Sequence, residues 1–359
     1  MKRGKFIFLV LGLLLVVLAL AACAGETGST GPAGATGAAG AAGPAGAAGA
    51  AGSAGAAGVN AAETCSDCHN ETTMFKGMQV QWANSLHGAG YTFERNGTSC
   101  AACHTAEGFV VAKEAGSTPT EALDAAVQNP SPVNCRTCHE IHETYSEDDW
   151  ALTVTAPVTI DATGDTLDLG AGNLCATCHQ PRTSYPTPVV GEGDVTFTSS
   201  RYGPHHGPQS TMVAGVGGYG EYTGTSIHYA MVEDTCVTCH MADAYGKQSG
   251  GHTMSMAYEY HEEEVQNVAG CVSCHGDAES FDIGGAMTEV EELGAELNTL
   301  LLAEGLITAS GSAVPGTYTS KQAGALWNYR TVILEDRSGG VHNPGFAKFL
   351  LQTGIDALQ

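Results

Sequence analysis

The chain has 359 residues, with 14 Lys and Arg against 38 Asp and Glu, a formal net charge of −24 at pH 7. That balance excludes nucleic-acid binding, which needs a basic face, and fits a solvated acidic surface able to steer cationic partners. With 7% aromatic residues but 48 glycines and 13 cysteines, large side chains alone are a thin supply for the core of a chain this long.

Residues 1–22 begin with Lys2, Arg3 and Lys5, continue as an apolar run from Phe6 to Ala22, and stop at Cys23. This is the pattern of a secretory signal, and Leu20-Ala21-Ala22-Cys23 resembles a lipobox, whose cysteine becomes the lipidated first residue. The run is at the short limit for a spanning helix, so cleavage and lipidation at Cys23 are expected in preference to a membrane-spanning anchor. Loss of the three basic residues would leave 11 Lys and Arg against 38 acidic residues, or −27.

From Gly25 to Gly58 every third residue is glycine. Strict Gly-X-Y periodicity marks a collagen triple helix, because only glycine fits at the crowded axis. X and Y are mostly alanine, with Pro32 and Pro44 as the only prolines, so a homotrimeric stalk over 23–58 competes with a flexible tether. Extended at ~3 Å per residue, the tract would reach on the order of 100 Å.

Residues 59–359 carry one phrase six times: Cys65-x-x-Cys68-His69, Cys100-x-x-Cys103-His104, Cys135-x-x-Cys138-His139, Cys175-x-x-Cys178-His179, Cys236-x-x-Cys239-His240 and Cys271-x-x-Cys274-His275. C-x-x-C-H is the attachment signature of c-type haem, in which two thiols form thioethers and the adjoining imidazole ligates the iron. Residues three and four apart share a face of a helical turn, so two sulfurs reach the macrocycle edge while the histidine reaches its centre. Paired C-x-x-C can also hold zinc, and even cysteine numbers can mean disulfides, but neither explains a histidine after the second cysteine all six times. The six motifs use twelve of the thirteen cysteines and predict six covalently attached haem c groups. Such plates supply apolar core, and the cofactors argue for one domain where length alone would suggest two.

Each iron needs a sixth ligand. Eight histidines lie outside the motifs: His87, His142, His205, His206, His228, His252, His261 and His342. They are enough to close six irons, and bis-histidine haem favours electron transfer over substrate binding. His87 is expected on a helix from Met74 onward. His142, three residues after His139, would face the same way on a helix and serve a neighbouring haem. The adjacent pair His205 and His206 easily supplies only one ligand, and His261, beside Glu262, Glu263 and Glu264, is the expected non-ligand. The methionines, Met241 among them, are expected to pack.

Val154 to Leu169 alternates around Gly164-Asp165, predicting a β-hairpin. Glu289–Leu306 and Lys321–Glu335 have helical periodicity, and Asn343-Pro344 opens a last helix through Leu358. The expected fold is mainly α with much loop, built around haem, with a helical C-terminal part over about 286–359.

Several stretches resemble the multihaem cytochromes around cytochrome c nitrite reductase and hydroxylamine oxidoreductase. They are Trp82-x-x-Ser85-x-His87, Asn173-Leu174-Cys175 through Gln180, Gly203-Pro204-His205-His206-Gly207-Pro208-Gln209, Cys239-His240-Met241 followed by Gly250-Gly251-His252-Thr253, and Gly340-Val341-His342-Asn343-Pro344. The resemblance implies distal ligation by His87, His205 or His206, His252 and His342, and long C-terminal helices that pack on the haems and form subunit contacts. Nitrite reductases of that group commonly carry lysine in place of one motif histidine, whereas all six motifs here end in histidine. The segment Glu221–His228 resembles the part of those enzymes bearing an active-site histidine. His228 is therefore either a ligand or, with Arg201 and Tyr202, the lining of an open haem pocket for nitrite, hydroxylamine or a sulfur oxyanion.

The expectation is an exported, lipid-anchored hexahaem cytochrome carrying electrons between redox partner proteins and an extracellular acceptor, at an outer membrane, a cell surface or the outer face of the cytoplasmic membrane. An oxidoreductase with one open haem, or a filament-forming cytochrome, are the alternatives.

Overall fold

The computed structural model describes His69 and residues 73–182, 185–205 and 207–359, all within one unit spanning 58–359. The expected signal segment, Cys23, the Gly-X-Y tract, Cys65, Cys68 and His206 lie outside the described residues.

The motifs fold as single helical turns. The amide of the motif histidine donates to the carbonyl of the first cysteine at 3.1 Å in His104, 2.8 Å in His139, 2.9 Å in His179 and 2.8 Å in His275. That is the bond that closes one α-helical turn, and it puts both sulfurs and the imidazole on one side. The turns are Ala101–His104, Cys135–Cys138, Asn173–Ala176, Cys236–His240 and Val272–His275. Between them the chain is loop, turn and short helix.

Three two-stranded antiparallel sheets punctuate the loops. Val158–Thr159 pairs with Thr166–Leu167, the hairpin expected from the alternating pattern. Val195–Phe197 pairs with Gly316–Tyr318 across a long sequence separation. Ala257–Tyr260 pairs with Glu263–Gln266 through a two-residue turn at His261 (φ 53°) and Glu262 (φ 68°). Two consecutive positive φ angles mark the turn type that matches the twist of a hairpin, and they place His261 at a solvent-facing tip against Tyr260.

The side-chain core belongs to the C-terminal helices Ala286–Ala303, Ser320–Tyr329 and Pro344–Leu358. Val290, Gly294, Leu297 and Leu301 are buried at spacings of four, three and four, an amphipathic stripe. It packs with Leu326, Trp327, Phe346, Leu350, Leu351 and Ile355. Thr319 and Gln322 form a capping box at the second helix, and Asn343 caps the third with Pro344 in its first turn. The second helix continues as a π-helix, Arg330–Asp336, ending at Arg337 with φ 60°. A smaller cluster of Ile160, Leu167, Leu169, Ala176 and Val213 lies under the first hairpin.

Between Tyr219 and Val290 no hydrophobic side chain is fully buried. That stretch holds the fifth and sixth motifs, yet Ile227 is 66% and Met231 76% exposed. A segment this long with its apolar residues turned outward has its core supplied by something other than its own side chains.

Candidate haem sites

Five motif histidines each face one histidine from outside the motifs. Ring centroids are 6.0 Å apart for His69 and His142, 6.1 Å for His179 and His87, 6.4 Å for His139 and His252, 6.3 Å for His275 and His228, and 6.2 Å for His240 and His342. Ordinary aromatic packing spans ~4.5–7 Å, so no single pair is decisive. The pattern is. A metal–imidazole nitrogen bond of about 2 Å puts each ring centroid about 3.2 Å from the ion, so two rings on opposite faces of one iron stand about 6.3 Å apart. His104 and His205 are described, whereas His206 is not.

The second ring nitrogen is anchored in six of these histidines, always to an acceptor. Nδ1 donates to Trp150 O from His139 at 2.7 Å, to Gln209 Oε1 from His179 at 3.3 Å and to Met254 O from His240 at 3.0 Å. It donates to Met254 Sδ from His87 at 3.1 Å, to His342 O from His228 at 3.3 Å and to Asp336 Oδ1 from His342 at 2.6 Å. A hydrogen on Nδ1 leaves the Nε2 lone pair for a metal, and such partners fix ring orientation. Burial, reinforced by His179 and His240, pushes the His87 imidazole down to about 4, and burial lowers His179, His240 and His252 as well. These rings are neutral, the ligating form.

Local structure explains several placements. Trp82 Nε1 donates to Val133 O at 3.0 Å, tying the helix Thr73–Ala83 to the entrance of the third motif. That helix does not reach His87. Ser85 caps a separate turn, Leu86–Ala89, and its hydroxyl accepts from the Gly88 amide at 3.0 Å. His142 is likewise not helical: the third motif's turn ends at Cys138, and His142 has φ 71°. Its loop wraps the Asp149 carboxylate, which accepts from the amides of His142 at 2.8 Å and Thr144 at 2.7 Å. The ring that results faces His69 and stacks on Tyr145.

Met254 escaped the sequence reading. It sits two residues after His252 with φ 55°, a left-handed conformation rare for a bulky residue, and touches both His87 and His240. Only its place next to Gly250-Gly251-His252-Thr253 hinted at a role.

The motif turns are packed against one another. A side chain at Gly172 would meet Cys236 Sγ at 3.1 Å, and one at Gly270 would meet the Cys239 Cα at 3.0 Å. Cys175 lies beside Cys236, and Cys103 beside Cys178. The contact with Cys175 draws the Cys236 thiol down to about 6, while burial pushes Cys138 up to about 11. Arg182 Nη2 reaches Ser99 O at 2.9 Å, joining the fourth motif's exit to the second's entrance. None of the ten cysteines of motifs two to six is in a disulfide. Among the described residues no three His, Cys, Asp or Glu side chains converge to hold a metal ion. Donors that come in opposed pairs suit an iron whose other four ligands belong to a macrocycle.

The open-pocket alternative loses a member. Tyr202 is 1% exposed, stacked on Phe197 at 4.1 Å and edge-on to Trp327 at 5.8 Å, inside the C-terminal core. Burial pushes its phenol up. It does not line a pocket with His228, whose ring faces His275, and Arg201 is exposed. The resemblance that suggested the grouping matched sequence neighbourhoods, whereas aromatic packing pulls Tyr202 inward.

No family model matches the chain, and no curated protein is similar to it. Among solved structures, that of the outer cell wall cytochrome OcwA is similar, with a TM-score of 0.49 and 24% identity over 79% of this chain and 50% of that one. The chain thus spans about half the length of that protein. No helix among the described residues is long and apolar enough to cross a membrane.

Proposed function

We propose that this chain is an exported multihaem c-type cytochrome that holds six covalently attached haem c groups and relays electrons through them. The observation that carries the reading is the pairing of motif histidines with histidines outside the motifs at 6.0–6.4 Å. The haem supplies the one-electron couple. The chain supplies two thiols and a histidine at each motif, an opposed imidazole, and Nδ1 acceptors that fix each ring.

The assigned axial pairs are His69 with His142, His139 with His252, His179 with His87, His240 with His342 and His275 with His228. His104 is paired with His205 or His206. The abutting turns of motifs two, four, five and six would bring four of the six centres close together. The fourth motif touches the second through Cys178 and Cys103 and the fifth through Cys175 and Cys236, and the fifth reaches the sixth at Gly270. Close edges are what a relay requires.

Beyond the haem domain, lipidation at Cys23 would hold the protein at a membrane. The tract to Gly58 would set it on the order of 100 Å away, as a trimeric stalk if the triple helix forms. Redox partner proteins on one side and an extracellular acceptor on the other complete the proposal.

The test is low-temperature electron paramagnetic resonance of the holoprotein during titration with nitrite and hydroxylamine, alongside a pyridine haemochrome count. Six low-spin irons indifferent to both ligands support the carrier. A high-spin iron that shifts on addition would instead make it an oxidoreductase.

A further inference from the structure

The Nδ1 acceptors of the paired histidines are not equivalent. Carbonyl oxygens serve His139, His228 and His240, an amide oxygen serves His179 and a thioether serves His87. Among the described residues only His342 gives its Nδ1 hydrogen to a carboxylate, Asp336 Oδ1 at 2.6 Å, and that side chain has 0% exposure.

The sequence builds this contact with care. The π-helix Arg330–Asp336 delivers Asp336 to the interior, and the chain reverses through Arg337 and Gly339-Gly340 to bring His342 back onto it. Ser338 Oγ donates to Asp336 Oδ2 and accepts from the Gly340 amide at 3.2 Å. Arg330, the cation of the same segment, is engaged by Glu335 at 3.1 Å, and Arg337 is turned outward onto Leu334 O. Among the described residues the Asp336 carboxylate has no ion-pair partner other than His342.

A carboxylate on Nδ1–H makes the imidazole a stronger donor through Nε2, and an uncompensated negative charge in a medium of low dielectric favours the more positive oxidation state of an adjoining iron. We infer that Asp336 is a positioning residue that makes the centre ligated by His240 and His342 the lowest in potential of the six. This rests on the haem reading above. Because the fifth motif abuts both the fourth and the sixth, that centre is a step an electron crosses rather than one where it rests.

The experiment is a redox titration of the full holoprotein, followed optically and by low-temperature electron paramagnetic resonance, in wild type and Asp336→Asn. Asparagine keeps an oxygen for Nδ1–H and removes the charge. The lowest of six midpoints should rise by at least a tenfold change in its Fe(II):Fe(III) ratio, about 59 mV for one electron, with the other five unmoved and all six irons still low-spin. Ser338→Ala strips a donor from the carboxylate and should move the same midpoint downward, which keeps the inference testable if Asp336→Asn does not fold. A lowest midpoint that stays in place in a folded Asp336→Asn protein overturns it, as does an unshifted Ser338→Ala protein where Asp336→Asn does not fold. Fewer than six haems in the wild type would be a failure of the haem reading itself, visible before any substitution is made.

Discussion

A single imidazole decides the state of each centre, so the assignment can be challenged one residue at a time. Replacing His252 or His87 with alanine should leave the haem count unchanged, because thioether attachment lies with the motif cysteines. One of the six low-spin signals should turn high-spin in each variant, read by electron paramagnetic resonance. His261→Ala should change none, since that side chain sits at the tip of a hairpin. Asp149 bears on His142 in a pH-dependent way. Burial acts to raise its carboxyl, but the hydrogen bonds from Thr144, His142 and Tyr145 outweigh it and hold the group below the ordinary value. A depressed folded-state pKa means a contribution complete above the unfolded value of about 3.9 and lost as pH falls through the lower folded one. Acidification from pH 5 towards 2 should therefore release the His142 loop, and Asp149→Ala should show the same loss at pH 7, both as decay of one low-spin signal.

At the scale of elements, two sites test how the scaffold is held. Asn328 is fully buried in the second C-terminal helix. It accepts from the Tyr219 amide at 2.8 Å and donates to Tyr219 O at 2.8 Å and Leu350 O at 3.0 Å, pinning the 219 segment and the last helix to one side chain. Asn328→Leu leaves the Tyr219 amide and carbonyl without partners, at about 1–3 kcal/mol each, so chemical denaturation should show a loss of several kcal/mol. The 257–266 hairpin offers the opposite sign. Asn-Gly suits two positive φ angles better than His261-Glu262 does, and the double replacement should stabilise the protein by about 1 kcal/mol without disturbing any haem signal.

For the whole molecule the division of labour is plain. The helices over 286–358 bury Leu297, Leu326, Trp327 and Leu350 against one another, whereas no apolar side chain between Tyr219 and Val290 is fully buried. A chain produced without haem attachment should accordingly lose protection over residues 223–275 while the C-terminal helices, with 195–219 packed on them, persist. Limited proteolysis with mass spectrometry reads the first, and Trp327 fluorescence reads the second. Uniform resistance across both parts would contradict a haem-built core.

The sequence by itself determined the chemistry: six C-x-x-C-H phrases specify where thiols and motif imidazoles stand, because their spacing is that of one helical turn. It also announced the C-terminal helices, the hairpin near Gly164 and the surplus of histidines, all local patterns of period or count. It did not announce which histidine meets which. His142 faces His69, His252 faces His139 and His228 faces His275 across separations that no local rule spans. The strand pair Val195–Phe197 with Gly316–Tyr318, the left-handed Met254 and the burial of Asp336 under His342 were equally silent. Each depends on contacts between segments far apart in the chain, and only the folded backbone brings such segments within bonding distance.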